Sequence, residues 1–122
     1  MKGFNDLQSW SYAQQICQEN SGDLVILNDT YVMNAVRSLN LRTDYNCWVD
    51  GTDSKTESTY TWSFDGTLVT NSFGAIGISY CAGYPTSNYQ RNCLSLQTLN
   101  APWCLIENYC SYISCYICEK FT

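Results

Sequence analysis

Two segments near the amino terminus carry apolar residues at helical spacing. Residues 10–20 place them on one face, with Ser9 as the predicted N-cap and Ser21-Gly22 as the stop. The second segment follows Asn28-Asp29-Thr30, which are N-cap residue types, and continues to the neighbourhood of Asn40. The pattern therefore predicts two amphipathic helices. Their predicted core-facing positions are Trp10, Tyr12, Ala13, Ile16 and Cys17 in the first and Tyr31, Val32, Ala35, Val36 and Leu39 in the second.

The pattern changes to strands from residue 47 onward. Residues 47–50 and 60–64 are rich in aromatic and β-branched side chains, and residues 93–96 and 112–118 have the same character. Between them, residues 70–92 show no sustained period and are rich in Gly, Ser, Asn and Tyr. A long segment of this kind in a small domain predicts one long loop with a functional role. Helices followed by strands predict an α+β fold.

Composition narrows the class of protein. A chain of 122 residues with 45% apolar residues has enough material for one core, so we expect a single domain over residues 1–122. Because no stretch of eighteen apolar residues occurs, we expect no membrane span. The net charge of −5 and six scattered bases argue against a nucleic-acid partner. With no histidine there is no Ser-His or Cys-His pair, so we do not expect an enzyme.

Eight cysteines in so short a chain indicate an oxidising compartment. A zinc site is disfavoured because histidine is absent and the one CxxC, Cys115 to Cys118, has no second knuckle. We therefore expect four disulfides, although cysteine positions alone leave 105 pairings open. The first residues lack the apolar core of a signal peptide. We accordingly expect a secreted, extracellular protein whose export signal has been removed.

Six short motifs occur in the order and spacing of the C-type lectin-like domain, which the chain resembles along nearly its whole length. They are Trp10-x-x-Ala13-x-x-x-Cys17 with Gly22-x-Leu24-Val25, Trp48-Val49-Asp50-Gly51, Thr61-Trp62-Ser63-Phe64-Asp65-Gly66, Tyr80-x-x-Gly83-x-Pro85, Asn92-Cys93-Leu94, and Tyr116-Ile117-Cys118-Glu119-Lys120. The resemblance implies two helices flanking small antiparallel sheets, with a long loop region braced by disulfides. It also places Trp48, Val49, Trp62 and Ile117 in the core, and we expect Tyr80 to pack beneath the loop.

The resemblance also implies how the cysteines pair. It joins Cys17 to Cys118 and Cys93 to Cys110. Cys81 and Cys104 resemble an extra pair found in fish type II antifreeze proteins, which share this fold, and the resemblance then leaves Cys47 for Cys115. Such cross-links stabilise a small domain by restricting its unfolded chain, by ~2–4 kcal/mol each.

Sugar-binding members of this family hold a calcium ion in the long loop, and the resemblance shows where its ligands would fall. The family's E-P-N triplet lies on Tyr84-Pro85-Thr86, its glutamate before the third framework cysteine on Arg91, and its W-N-D run on Leu105-Ile106-Glu107. Calcium needs six to eight oxygen ligands, and only Glu107 keeps a carboxylate. We therefore expect no cofactor at this position and calcium-independent binding.

Several acids earlier in the chain offer a different position for calcium. A structural calcium ion there is the alternative to solvated turn carboxylates, and we expect the carboxylates to be solvated. These acids are Asp44, Asp50, Asp53, Glu57 and Asp65.

The long loop contains the best candidates for recognition. Its tyrosines combine contact area with a hydroxyl group, as binding loops do. We expect a lectin-type module that binds a glycan or an extracellular protein. The alternatives are an ice- or mineral-surface binder like the type II antifreeze proteins, and a protein-binding subunit that forms a homodimer. The candidate ligand-binding residues are Tyr84, Thr86, Asn88, Tyr89, Arg91 and Glu107.

Overall fold

The computed structural model describes residues 1–86 and 90–120. Within these residues, seven strands and three helices follow one another, together with a 3₁₀ turn at Val69–Ser72. The strands are β1 (Lys2–Gln8), β2 (Gly22–Leu24), β3 (Cys47–Thr56), β4 (Thr59–Trp62), β5 (Cys93–Gln97), β6 (Cys104–Asn108) and β7 (Ser114–Lys120). The helices are α1 (Trp10–Glu19), α2 (Thr30–Arg37) and the short α3 (Phe73–Ile76).

Side-chain caps determine where the two longer helices begin. The Ser9 hydroxyl accepts a hydrogen bond from the Tyr12 backbone N–H, and α1 starts at the next residue, as predicted. Asp29 caps α2 by accepting from the Val32 N–H at 2.8 Å. This helix ends at Arg37, earlier than predicted, because the Ser38 hydroxyl donates to the Asn34 carbonyl in the last turn.

The apolar face of each helix differs in part from the prediction. Helix α2 buries Met33 and Val36, whereas Tyr31 is 84% exposed. Tyr31 was therefore wrongly assigned to the core. Tyr31 is two residues before the buried Met33, and residues two apart in a helix lie on nearly opposite sides. Helix α1 buries Trp10, Ala13 and Cys17, but Tyr12 points to solvent.

One mixed sheet organises the fold, with strand order β1-β7-β3-β5-β6. Strand β2 pairs with β7, and β4 pairs with β3. The family resemblance implies small separate antiparallel sheets. In the structure they form a single sheet, because β3 pairs with β7 in parallel and Cys47 lies beside Cys115. A mixed sheet packed against helices confirms the α+β class.

Two apolar clusters fill the space on either side of this sheet. One contains Val49, Trp62 and Ile117, and the other is centred on Trp48 and Trp10. Trp48, Val49, Trp62 and Ile117 are fully buried, as predicted. The Trp10 indole N–H donates to the Val49 carbonyl at 2.9 Å, which fixes α1 against β3.

Four disulfides tie these elements together. Their pairing is Cys17–Cys118, Cys47–Cys115, Cys81–Cys104 and Cys93–Cys110, which is the pairing that the family resemblance implies. Cys17–Cys118 joins α1 to the last strand across 101 residues, and Cys81–Cys104 joins the long loop to β6. The loop is thus covalently attached to the sheet.

Candidate functional site

The long loop returns to the sheet at Tyr80. This residue forms an isolated parallel bridge with Leu105 of β6, and the next residue, Cys81, is bonded to Cys104. The Tyr80 ring meets the Phe73 and Tyr60 rings edge-on, with centroid distances of 5.2 and 6.2 Å. Burial raises the pKa of Tyr80 to about 12. Tyr80 therefore packs beneath the loop, as predicted.

Beyond this point a buried carboxylate joins the loop to β6. Glu107 is only 2% exposed, and its carboxylate accepts hydrogen bonds from the Thr86 backbone N–H and, at 2.8 Å, from the Tyr60 hydroxyl. The Tyr60 hydroxyl also contacts the Arg91 carbonyl oxygen. Burial and the bond to Glu107 raise the pKa of Tyr60 above its usual value. We call Tyr60, Thr86, Arg91 and Glu107 the loop latch, because they connect Thr86 and Arg91 of the loop to strands β4 and β6.

The Arg91 side chain lies among aromatic rings. Its guanidinium carbon is 5.5 Å from the centre of the Tyr109 ring. The hydrogen bond to Tyr109, with a weaker contribution from Tyr84, raises the pKa of Arg91 above its usual value. Tyr109 in turn packs against Tyr112, with ring centroids 4.9 Å apart. The guanidinium of Arg91 and the phenol rings of Tyr109 and Tyr112 therefore form a row beside the loop.

Four predicted site residues are brought together by these contacts. Tyr84 approaches Arg91, and Thr86 is bonded to Glu107. Asn88 and Tyr89 lie outside the described residues. Because Glu107 is buried, its carboxylate is suited to positioning the loop, and the half-buried Tyr84 and Arg91 are better placed to touch a ligand.

Two residues of this cluster were not among the candidates. Strand alternation indicates that Tyr60 points inward with Trp62, but it cannot reveal that the Tyr60 hydroxyl meets Glu107, which is 47 residues away. Tyr109 follows β6, and its contact with Arg91 has no signal in the local pattern.

The described residues of the long loop do not fit a calcium ion. The triplet and glutamate positions hold Tyr84, Thr86 and Arg91, so Glu107 supplies the one carboxylate, and both of its oxygens already accept hydrogen bonds. Calcium requires six to eight oxygen ligands, mostly carboxylate or amide. The guanidinium of Arg91 adds positive charge where the ion would need negative charge.

The earlier acids are the second candidate position for calcium, and four of them accept hydrogen bonds from the protein, Asp53 through its Oδ2 from the Ser58 N–H at 3.0 Å. Both carboxylate oxygens of Asp44 accept from Arg42 at 2.7 Å. Asp50 accepts from the Phe64 N–H, and Asp65 accepts from Thr67. The carboxylates of Asp44, Asp50 and Asp65 are therefore accounted for without an ion.

Asp53 and Glu57 form the remaining acidic pair. The Oδ1 atoms of Asp53 and of Asn92 are buried without a hydrogen-bond partner, and burial together with Asp53 raises the pKa of Glu57. Over residues 1–86 and 90–120, no three His, Cys, Asp or Glu side chains form a group able to hold a metal ion. That calcium is absent stays a prediction, and these two unpartnered oxygens are where it must be tested.

The fold, the disulfides and the latched loop define a C-type-lectin-like domain. Residues 6–120 match the family Lectin C-type domain, and the chain belongs to that family. The family is non-enzymatic, in agreement with the prediction from the missing histidine. No helix in the described part of the chain has the length and apolar character needed to cross a membrane.

Solved structures show the same fold in proteins with different roles. Human lithostathine is 26% identical with a TM-score of 0.79, and the match covers 98% of this chain and 81% of that one. The herring type II antifreeze protein is 18% identical with a TM-score of 0.78, covering 99% and 90%. The carbohydrate-recognition domain of the mouse scavenger receptor C-type lectin is 21% identical with a TM-score of 0.70, covering 98% and 87%. No curated protein sequence matches the chain.

Proposed function

We propose that this chain is an extracellular recognition module that binds a glycan or a protein ligand through its long-loop surface without calcium. The observation that carries the proposal is the engagement of Glu107 by Thr86 and Tyr60. In sugar-binding relatives a calcium ion occupies this region. In this chain, internal hydrogen bonds connect Thr86 and Tyr60 to Glu107, which supports recognition without an ion. The four disulfides support export to an oxidising compartment.

The proposed contact residues are Tyr84, Thr86, Asn88, Tyr89 and Arg91, with Glu107 positioning them. Tyr84 and Arg91 are half-buried, which leaves part of each side chain available to a ligand while the rest is held in place. Tyrosine loses little conformational entropy on binding, and arginine donates several hydrogen bonds in a fixed plane. Both suit the hydroxyl groups of a sugar and the carbonyl groups of a peptide.

Binding to a glycan array and capture of extracellular proteins, each in calcium and in EDTA, test this proposal. We expect binding to persist in EDTA and to fall by about tenfold or more in Tyr84→Ala and Arg91→Ala. Tyr31→Ala is the matched control, because Tyr31 is 84% exposed on α2 and makes none of the contacts described for the loop. Loss of binding in EDTA alone would refute calcium independence. Binding that is unchanged in both loop variants would refute the site.

An ice- or mineral-surface binder is the second candidate function. It is favoured by the Cys81–Cys104 disulfide, which resembles the extra pair of fish type II antifreeze proteins. The likeness to the herring protein, at 18% identity, speaks for the fold alone. Thermal hysteresis and ice-crystal shape measure this function directly. Unaltered crystals at high protein concentration would remove it.

A third candidate is a protein-binding subunit that forms a homodimer. Gel filtration with light scattering distinguishes it, because a dimer doubles the mass of 13.9 kDa. A monomer at concentrations that support ligand binding would exclude this arrangement.

We also propose that residues 1–122 act as one domain.

A further inference from the structure

A groove lies away from the latched loop, where β3 and β7 begin and β5 ends. Its walls are residues 43–46, which lead into β3, and residues 112–114, which lead into β7. Gln97, the last residue of β5, Leu99, and Asn108, the last residue of β6, complete the lining. The groove has a volume of about 410 Å³, which is within the range of small-ligand sites.

Exposed apolar side chains of the described residues concentrate in this groove. Tyr45, Leu99, Tyr112 and Ile113 are between 40% and 62% exposed, and all four line it. The other large exposed apolar side chains, such as Tyr31 and Phe64, are outside it. Exposed apolar side chains that cluster in one groove and are rimmed by polar groups are a feature of ligand-binding grooves.

The polar groups of the groove are uncharged or already neutralised. Asn46, Gln97 and Asn108 contribute amides to the lining. Within residues 1–86 and 90–120, the Asn46 side-chain amide and the Gln97 amide nitrogen have no hydrogen-bond partner. The one carboxylate in the lining, Asp44, is held in a two-point ion pair by Arg42.

The exposed apolar side chains and uncharged amides of the groove determine which kind of ligand fits it. Among the described residues that line the groove, a phosphate or an acidic peptide would find no free cation, and a basic peptide would find no unpaired carboxylate. Amides that donate and accept hydrogen bonds beside tyrosine rings suit a ligand with both hydroxyl groups and apolar C–H faces. We propose that this groove is a second binding site, for a neutral saccharide, separate from the long-loop surface.

The two sites are linked through a row of aromatic contacts. Arg91 lies over Tyr109, and Tyr109 packs on Tyr112, which lines the groove. An oligosaccharide that occupied the groove and extended past Tyr112 would therefore come close to Arg91. Binding in the groove does not depend on that extension. The groove site is therefore a proposal in addition to the function proposed for the loop.

The test is to titrate the whole chain with a panel of neutral mono- to hexasaccharides ending in glucose, galactose, mannose or N-acetylhexosamine. Two-dimensional ¹H–¹⁵N NMR follows the side-chain amide signals of Asn46 and Gln97 directly. We expect at least one sugar to shift these signals at millimolar concentration. Tyr112→Ala should weaken that binding by about tenfold, while Tyr31→Ala should leave it unchanged. Both tyrosines are exposed, so neither substitution is expected to impair folding.

Each result separates the groove from the loop. Groove signals that still shift in Tyr84→Ala and Arg91→Ala support the groove even where the loop proposal fails. Sugar binding that Tyr112→Ala leaves intact, with unmoved Asn46 and Gln97 signals, overturns the groove and leaves the loop proposal standing. If the signals move on concentrating the protein without sugar, a second copy of the chain occupies the groove and the saccharide proposal is wrong. Failure of every sugar to move them also overturns it.

Discussion

The loop latch makes a specific prediction about the Tyr60 hydroxyl. Tyr60→Phe removes one oxygen and keeps the buried ring, including its edge contact with Tyr80. The substitution leaves the Glu107 carboxylate with one of its two protein donors and leaves the Arg91 carbonyl without its Tyr60 contact. A hydrogen bond to a charged group contributes ~1.5–3 kcal/mol, and an unsatisfied buried acceptor costs a similar amount. We therefore expect the free energy of unfolding to fall by about 2 kcal/mol.

The partner variant is Glu107→Gln, which has nearly the same shape without the charge. An amide oxygen can still accept from the Thr86 N–H, so the loss is expected to be smaller, about 1 kcal/mol. Because Tyr60 and Glu107 belong to one network, the double variant should lose less than the sum of the single losses. Coupling of ~0.5–3 kcal/mol is usual for residues in direct contact.

Two measurements separate a local effect from a global one. Urea unfolding gives the free energy of unfolding, and amide hydrogen exchange at Thr86 reports whether the loop end stays attached to Glu107. We expect exchange at Thr86 to accelerate in Glu107→Gln while buried sheet amides such as Leu96 stay protected. The matched control is Tyr12→Phe, which deletes a hydroxyl from a 51% exposed ring and should change stability by less than ~0.5 kcal/mol.

The refuting result is clear. If Tyr60→Phe is as stable as the Tyr12→Phe control and Thr86 exchanges at the wild-type rate in Glu107→Gln, these hydrogen bonds do not hold the loop. If calcium restored the lost stability of Glu107→Gln, an ion would be the element that organises this surface. Either outcome would remove the main support for calcium-independent recognition.

Three other predictions test separate parts of the molecule. The melting temperature should be the same in calcium and in EDTA. A calcium-dependent rise that Asp53→Asn abolishes would contradict this and place an ion at the unpartnered oxygens of Asp53 and Asn92. Burial raises the pKa of Asp50 from 3.8 to about 7, so ionising it costs the folded state more than the unfolded state. Wild-type stability should therefore fall as the pH rises from about 4 to 7, and Asp50→Asn should flatten that decline by an amount of the order of 4 kcal/mol in urea titrations at several pH values. Replacing Cys81 and Cys104 together by Ala opens a closure of 23 residues and should lower the free energy of unfolding by ~3 kcal/mol, with equal stability counting against a bracing role.

Much of the fold could be predicted because its signals are local or ordered along the chain. Ser9 and Asp29 are N-caps in both the pattern and the structure. The six motifs carried the fold, and the family resemblance implied the pairs Cys17–Cys118 and Cys93–Cys110; Cys81–Cys104 came from the likeness to type II antifreeze proteins, which left Cys47 for Cys115. Strand β1 was missed because its residues are half-exposed and polar, and it is held by pairing with β7 at the other end of the chain. No periodicity reports such pairing.

The candidate site was less predictable because it depends on contacts between distant residues. Arg91 and Glu107 were identified because they align with positions that hold calcium ligands in sugar-binding members of the family. The hydrogen bond that engages Glu107 comes from a tyrosine on a different strand, and only the folded chain brings the Tyr60 hydroxyl within 2.8 Å of the Glu107 carboxylate. The groove beside Tyr112 likewise joins residues 43–46 to residues 112–114, which are far apart in the sequence, and each segment looks like an ordinary turn in isolation.

The order of strands in the sheet determines how this domain can be displayed. Lys2 pairs with Cys118, so the first and last strands meet at the β1 margin of the sheet, while Glu107 lies in β6 at the opposite margin. Neighbouring strands are ~4.8 Å apart, so four steps separate these margins by roughly 19 Å. A tether, tag or surface linkage attached at either terminus would therefore leave the latched loop facing outward. The domain is suited to immobilisation from either end for sensing in solution.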